Sequence, residues 1–362
     1  MAYISTTFPS DQWIIDSHLI QERASFPAIS TQNGNILVCG GFIKYEGFPE
    51  IDSSCEIYSS SNRKWRTATD LNVGRYGHTL TLLPNGRSIL AVGTMDNIDG
   101  CTAEIYDIQT DKWAFVPNIM NTLRTQHTAT LLRNDQVLIV GGLSSDSGIS
   151  SSTVQLYIPS SNTFITAGSL NTARYDHTAI LLNDGLSVLV IGGRHSLHDI
   201  AGPPHISMPT EIYINGSWFC TAGDMINKRS DFAAVLLSDG NVLVAGGIDS
   251  SKNATSTVEI YNSTTETFSL VQPMACARSH FTLTRLPSGH VLAVGGKSSM
   301  TNNCLRFSEL YDPNKNQWTS PRRLNSLRYG HNAILLNHSV LIIGGSAREQ
   351  NGLIRACERY DL

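Results

Sequence analysis

Seven copies of one pattern, spaced about 50 residues apart, fill this chain, so it must fold as an array of equivalent units. Each copy opens on an Arg: Arg23, Arg75, Arg124, Arg174, Arg229, Arg278 and Arg328. Three residues later stands a ring, His78, His127, His177 and His331 in four copies and Phe26, Phe232 and Phe281 in the others. An apolar run follows and closes on a Gly pair, as at Gly141-Gly142 and Gly192-Gly193; one copy has Gly93-Thr94 instead. Then comes Glu-x-Tyr, as at Glu104 and Tyr106, with Gln155 replacing the Glu once. A Trp or Phe follows the Tyr by seven residues, as Trp113 and Trp318 do, or by five at Trp218.

The seventh copy reaches Leu362 before its aromatic occurs. Trp13 precedes Arg23 by the same ten residues that separate Trp318 from Arg328. The N-terminal segment therefore reads as the last strand of the last copy. Ends that complete each other predict a closed ring, because closure removes exposed sheet edges.

Within each copy the pattern predicts four short antiparallel strands, here called a to d. Strand a follows the Arg, as in His78–Leu83, and a tight turn such as Asn85-Gly86 leads into the buried strand b, Ile89–Val92. Strand c carries Glu-x-Tyr and strand d the Trp or Phe, with turn formers such as Asp312-Pro313-Asn314 between them. Helical periodicity is not sustained anywhere.

This repeat resembles the kelch motif, on the Gly pair, the Tyr and the spaced Trp, over about residues 8–362. The resemblance implies an all-β fold, a seven-bladed β-propeller with four antiparallel strands per blade. Blade boundaries are expected near 23–72, 73–121, 122–171, 172–226, 227–275, 276–325, and 326–362 plus 8–20. Leu286-Pro287-Ser288-Gly289 gives the chain a further similarity to the propeller domain of galactose oxidase. Many kelch proteins join the propeller to another domain, for example in ubiquitin ligases; a single propeller over 1–362 is expected here.

Low charge, 15% of residues with a net charge of −4, and the lack of a basic run argue against nucleic acid or an anionic membrane as partner. Without an 18-residue apolar stretch or a signal-peptide core, a cytoplasmic protein is expected. The seven Cys are scattered and form no CxxC, so buried thiols are expected, a Cys55–Cys357 bridge being conceivable.

Residues that recur in every copy should build it. Arg75, Arg124, Arg174, Gly141, Gly142, Gly192, Gly193, Glu104, Tyr106, Trp113, Trp318 and Trp13 are assigned to structure on that ground. Each Arg is expected to brace a blade, or a blade junction, by pairing with a Glu of Glu-x-Tyr; Arg124 with Glu104 is one possible pair. The His/Phe exchange marks a packing position, because a metal or proton-transfer role would not survive it.

Function should lie where copies differ. The b–c loops and d–a linkers leave one side of the disc, and variable loops on a rigid scaffold are where binding resides. From the second Gly position to the Glu or Gln the intervals are 15, 10, 13, 18, 12, 13 and 13 residues, longest in blades 4 and 1. Tyr45, Phe48, Tyr76, Tyr175, Arg194, His198 and Tyr329 are the predicted contacts with a protein or peptide, Tyr and Arg being favoured at binding hot spots. The alternative is an enzyme or carbohydrate-binding protein of the galactose-oxidase type. That family implies a copper-binding Tyr two residues after such an Arg. Here that position holds Ser25, Gly77, Gln126, Asp176, Asp231, His280 and Gly330. His195, His198, Asp199 and His205 form the one plausible metal constellation, on a loop with nothing to fix it. No catalytic residue, metal site or cofactor is called for, and the expected role is non-enzymatic recognition.

Overall fold

A computed structural model describes residues 12–43, 50–93, 102–117, 124–144, 148–195, 208–298, 305–319, 322–347 and 352–362. Seven antiparallel sheets, each ordered a-b-c-d, make a seven-bladed propeller. In blade 4 the strands are Thr178–Leu181, Val188–Ile191, Glu211–Ile214 and Ser217–Cys220. Each strand a contacts strand a of the next blade, including Asn332–Leu336 of blade 7 against Ala28–Ser30 of blade 1, so the inner ring is closed.

Closure runs through the N-terminal strand. Ile14–His18 pairs antiparallel with Ala356–Asp361 and becomes strand d of blade 7. Trp13 packs on Tyr360 at 5.4 Å between ring centroids, matching the 5.0 Å of Tyr106–Trp113 and Tyr311–Trp318. The five-residue gap at Trp218 reflects a shorter turn through Asn215-Gly216: Tyr213 still sits opposite Trp218.

The core consists of seven apolar clusters, one at each blade junction. A strand's side chains alternate between its two faces. In blade 1, Leu37 and Cys39 accordingly join the cluster shared with blade 2, and Ile36 and Val38 the one shared with blade 7. Strand b, covered on both faces, is therefore apolar throughout. The Gly pair lets neighbouring blades approach. A Cβ on Gly141, at φ +59°, would lie 2.6 Å from the Arg174 carbonyl, and Gly142 donates its N–H to that same oxygen at 2.9 Å.

The repeated Arg pairs with the Glu of its own blade. Arg75 meets Glu104 at 2.8 Å, Arg174 meets Glu211 at 2.5 Å and Arg328 meets Glu358 at 2.6 Å, every one of these side chains fully buried. Arg23, Arg229 and Arg278 pair likewise with Glu56, Glu259 and Glu309. The expected Arg124–Glu104 pair does not form. Glu104 belongs to blade 2, and Arg124 donates instead to Gln155 of blade 3 at 3.4 Å. The Arg also reaches the carbonyl of the first Gly, as Arg75 does to Gly93 at 2.9 Å. Each Glu in turn accepts backbone N–H groups of the linker entering its blade: Asn72 and Val73 on Glu104, Asn171 and Thr172 on Glu211. The motif thus fastens the d–a linker to strand c, and these carboxylates are buried with their lone pairs occupied.

The cysteines depart from expectation. Cys39 is disulfide-bonded to Cys55, its cross-strand partner on strands b and c of blade 1, and Cys357 is a buried free thiol. The bridge joins the two ends of the long blade 1 b–c loop, a pairing hidden in the sequence because the Cys fall at unrelated repeat positions.

The His/Phe position packs as expected, with a refinement. His127, His177 and His331 each bond through Nε2 to a Thr one blade back: Thr79, Thr128 and Thr282, at 2.8–3.0 Å. His78 faces blade 1, where the corresponding residue is Pro27, and neither ring nitrogen finds a partner. Removing an unsatisfied buried group is favourable. His78→Phe is expected to stabilise by about 1 kcal/mol, whereas His127→Phe, which strands the Thr79 hydroxyl, should cost about that much. Urea unfolding of the two variants checks the opposite signs. Burial pushes all four His down, His177 and His331 to about 3. A folded-state value below the unfolded one means stability is complete above about pH 6.5 and lost as the pH falls towards 3.

Candidate functional site

Two residues after each Arg, just before strand a, the backbone turns left-handed. Non-glycine residues hold this position in five blades: Ser25, Gln126, Asp176, Asp231 and His280, with φ between 51° and 54°. Gly77 and Gly330 hold it in the others, at φ 58° and 59°. The seven residues form a rosette at the inner end of the b–c/d–a face. Backbone hydrogen bonds run around it from blade to blade: Gln126 N–H to Gly77, Asp176 to Gln126, His280 to Asp231 and Gly330 to His280, at 2.7–3.1 Å. None of the seven residues is buried as a whole, although the Asp231 side chain is only 7% exposed.

The backbone is the same in every blade, so it does not dictate these side chains. Positive φ favours Gly and, more weakly, Asn or Asp. Gln126 and His280 accept that cost and turn onto neighbouring blades, the Gln126 amide to Asp176 and the His280 ring to Asp231 and Tyr329. The side chains divide the rosette in two. Blades 7, 1 and 2 contribute Gly330, Ser25 and Gly77; a Cβ on Gly330 would meet nothing within 4 Å. Blades 3 to 6 contribute Gln126, Asp176, Asp231 and His280.

A second layer surrounds the first. The residue after the Gly pair bridges the residue after the Arg of its own blade, as Arg194 bridges Tyr175 and Lys297 bridges Ser279. From there its side chain reaches the next blade. Phe42 stacks on Tyr76 at 4.2 Å, Arg194 ion-pairs with Asp231, and the Lys297 ammonium lies 3.9 Å from the centre of the Tyr329 ring. Three neighbouring blade pairs thus use one geometry for three contacts: aromatic, ionic and cation–π.

The carboxylates of the polar half differ in character. Burial raises the Asp231 carboxyl, but His280 and Arg194 outweigh it and hold the group below its ordinary value. Its Oδ1 lies 3.4 Å from His280 Nε2, and Ser230 donates to its Oδ2. Asp176 accepts from the Gln126 amide at 3.3 Å. Burial and the nearby Asp231 charge push its carboxyl up to about 7. A folded-state value above the unfolded one makes ionised Asp176 a cost that grows from about pH 4 and is complete above about pH 7. Asp176→Asn is therefore expected to stabilise the protein by roughly 1–3 kcal/mol at pH 8 and to gain nothing at pH 4. Melting curves at the two pH values check this.

The predicted contacts scatter across this site. Tyr76 lies half-buried in the second layer. Arg194 lies there too, but its guanidinium is committed to Asp231. Tyr175 and Tyr329 are 3% and 8% exposed, so they form walls of the site and offer little free area. Tyr45, Phe48 and His198 fall outside the described residues, as do Asp199 and His205 of the loop constellation. His195 Nδ1 lies 3.1 Å from the Ala173 carbonyl oxygen. Sequence reasoning missed Phe42, Gln126, Asp176, Asp231, His280 and Lys297. The available signal was a list of unlike residues at a constant offset from the Arg.

A copper site of the oxidase type requires a Tyr in the rosette, and none is there. Among the described residues no three His, Cys, Asp or Glu side chains are arranged to hold a metal ion. Among the described residues the donor set therefore does not fit that copper site.

Comparison with known proteins agrees with the repeat and the fold. The Kelch motif matches residues 23–72 and 229–275. Kelch-like protein 23 of Homo sapiens is 25% identical over 261 residues, 71% of this chain and 43% of that protein. The F-box/kelch-repeat protein SKIP20 of Arabidopsis thaliana is 28% identical over 153 residues, 39% of this chain and 34% of that protein. The chain thus spans less than half the length of these relatives. Among solved structures, a fungal alcohol oxidase of the AA5 family in complex with copper superposes with a TM-score of 0.73 at 16% identity, covering 97% of this chain and 75% of that one. YjhT superposes with a TM-score of 0.60 at 12% identity, covering 83% and 98%. At these identities the likeness is one of fold.

Proposed function

We propose that this chain, a seven-bladed β-propeller with kelch-type repeats, is a non-enzymatic recognition module. It binds a protein or peptide over the rosette on the b–c/d–a face. One observation carries this reading: seven equivalent backbone positions hold unlike side chains, several at a cost in backbone conformation or buried charge. Costs of this kind persist in proteins where function uses them. The divided rosette suits an asymmetric ligand. Its small-residue half leaves room for a protruding side chain, and the Asp176–Asp231 half offers acceptors to a donor group.

The test is affinity capture with wild-type protein beside a Tyr76→Ala/Gln126→Ala/His280→Ala variant. Arg87→Ala, on the opposite face, is the control; among the described residues Arg87 pairs with surface Asp107. A partner held by wild type and by the control but lost from the triple variant supports the reading. A partner held equally by all three places recognition elsewhere.

A further inference from the structure

A cavity lies on the opposite face, at the closing seam, away from the rosette. Between blades 7 and 1 the turns line an open cavity of about 470 Å³, with Tyr58, Ser60, Arg63, Asn337, His338 and Arg359 among its walls. The corresponding cleft between blades 2 and 3 is smaller, about 290 Å³, and has no cationic side chain in its lining. The repeat thus supplies its own control.

The difference traces to one position. Five residues after the Tyr, the c–d turn is left-handed in five blades, at Arg63, Asp111, Asn162, Glu266 and Asn316. Where this residue is Asp or Asn it caps its own blade. The Tyr106 hydroxyl donates to Asp111 at 2.6 Å, Tyr157 to Asn162 at 2.8 Å and Tyr311 to Asn316 at 3.0 Å. Blade 1 has Arg63 here, and an Arg cannot accept that bond. Asp16 of the closing strand takes over, accepting from Tyr58 at 2.7 Å. Arg63 is thereby released from the structural task. Among the described residues no ion pair or side-chain hydrogen bond engages its guanidinium, and it lines the cavity. Arg359 on the far wall is neutralised by Asp16 and Asp361, so Arg63 is the uncompensated charge, and His338 of the blade 7 turn also lines the space.

We propose that the seam cavity between blades 7 and 1 binds a small phosphomonoester bearing hydroxyl groups, such as a sugar phosphate, with Arg63 holding the phosphate. A guanidinium matches the geometry and charge of phosphate oxygens. The volume exceeds what a bare phosphate fills and lies within the range of small-ligand pockets. Hydroxyl and amide groups from Ser60, Asn337 and the neighbouring turns suit ligand hydroxyls.

The test is calorimetric titration of the full chain with glucose 6-phosphate, inorganic phosphate, glucuronate and glucose. Arg63→Asn restores the residue found in blades 3 and 6, tolerates the left-handed turn and can accept from Tyr58, so it should fold. Glucose 6-phosphate is expected to bind wild type at least tenfold more tightly than glucose or inorganic phosphate, and Arg63→Asn should lose at least tenfold of that affinity. Glucose binding as tightly as its phosphate would overturn the anion assignment. Inorganic phosphate binding equally tightly would overturn the hydroxylated ligand, and glucuronate binding more tightly would replace the phosphomonoester with a carboxylate. Absence of Arg63-dependent binding at millimolar concentration would overturn the site. The rosette triple variant should bind as wild type does, which keeps this result separate from the fate of the recognition face.

Discussion

Deleting residues 1–22 is expected to abolish cooperative folding or to lower the melting temperature by more than ten degrees, on the order of several kcal/mol of lost stability. The segment does more than cover an edge. Trp13 is 5% exposed, stacks on Tyr360 and donates its indole N–H to Ser308 at 2.9 Å. Leu19 is fully buried in the junction between blades 7 and 1. Asp16 and Ser17 accept from Tyr58 and Trp65 of blade 1, and the N–H groups of Ile20 and Gln21 fill the Glu56 carboxylate. The deletion therefore strips strand d from blade 7 and also unsatisfies polar groups in blade 1. Trp13→Ala alone should cost about 3–5 kcal/mol. Trp13→Phe should cost about 1–2 kcal/mol, since Phe164 and Phe268 fill this position elsewhere and only the indole bond is lost. A truncated chain that melts like the intact one would mean the ring is not closed by this strand.

The repeat made the ring legible before any coordinates: Trp13 lies as far before Arg23 as Trp318 before Arg328, and the structure places it on Tyr360. Its limit is seen at Arg124. Equal spacing says that an Arg meets a Glu but not which one, because strand c of the same blade and of the preceding blade lie at similar sequence distances. Gln155 was the overlooked clue, since a missing Glu should coincide with an Arg that lacks one. The Cys39–Cys55 bridge follows from b–c register, which a one-residue shift would abolish. The candidate site was less legible for a different reason. Residue type points to Tyr175 and Tyr329, but both bridge to the residue after a Gly pair and are buried. Asp176, Asp231 and His280 stand in the sequence as positions without Tyr; only the fold shows that the Asp176 and Asp231 carboxylates sense each other and that His280 meets Asp231.

The second large effect concerns the buried pairs. Glu104→Ala is expected to cost about 3–5 kcal/mol, because it leaves Arg75 charged, fully buried and without its carboxylate, and also strands the N–H groups of Asn72 and Val73. Arg75→Ala should cost about as much, losing its bonds to the Gly93 and Thr102 carbonyls at 2.9 and 3.0 Å. The pairing within the blade then makes a discriminating claim. The Arg75/Glu104 cycle in denaturant unfolding should show a coupling of about 1–3 kcal/mol, and the Arg124/Glu104 cycle should be additive to within about 0.5 kcal/mol. Coupling in the second cycle and additivity in the first would assign the brace to the junction between blades instead. Glu104→Gln separates charge from shape. An amide keeps one acceptor for Arg75, as Gln155 does for Arg124, but its NH2 group cannot accept the Asn72 bonds that Oε2 takes from the linker. Its cost should therefore fall between zero and that of Glu104→Ala. If Gln proved as costly as Ala, the second carboxylate oxygen, which holds the linker, would be the part of the motif that matters.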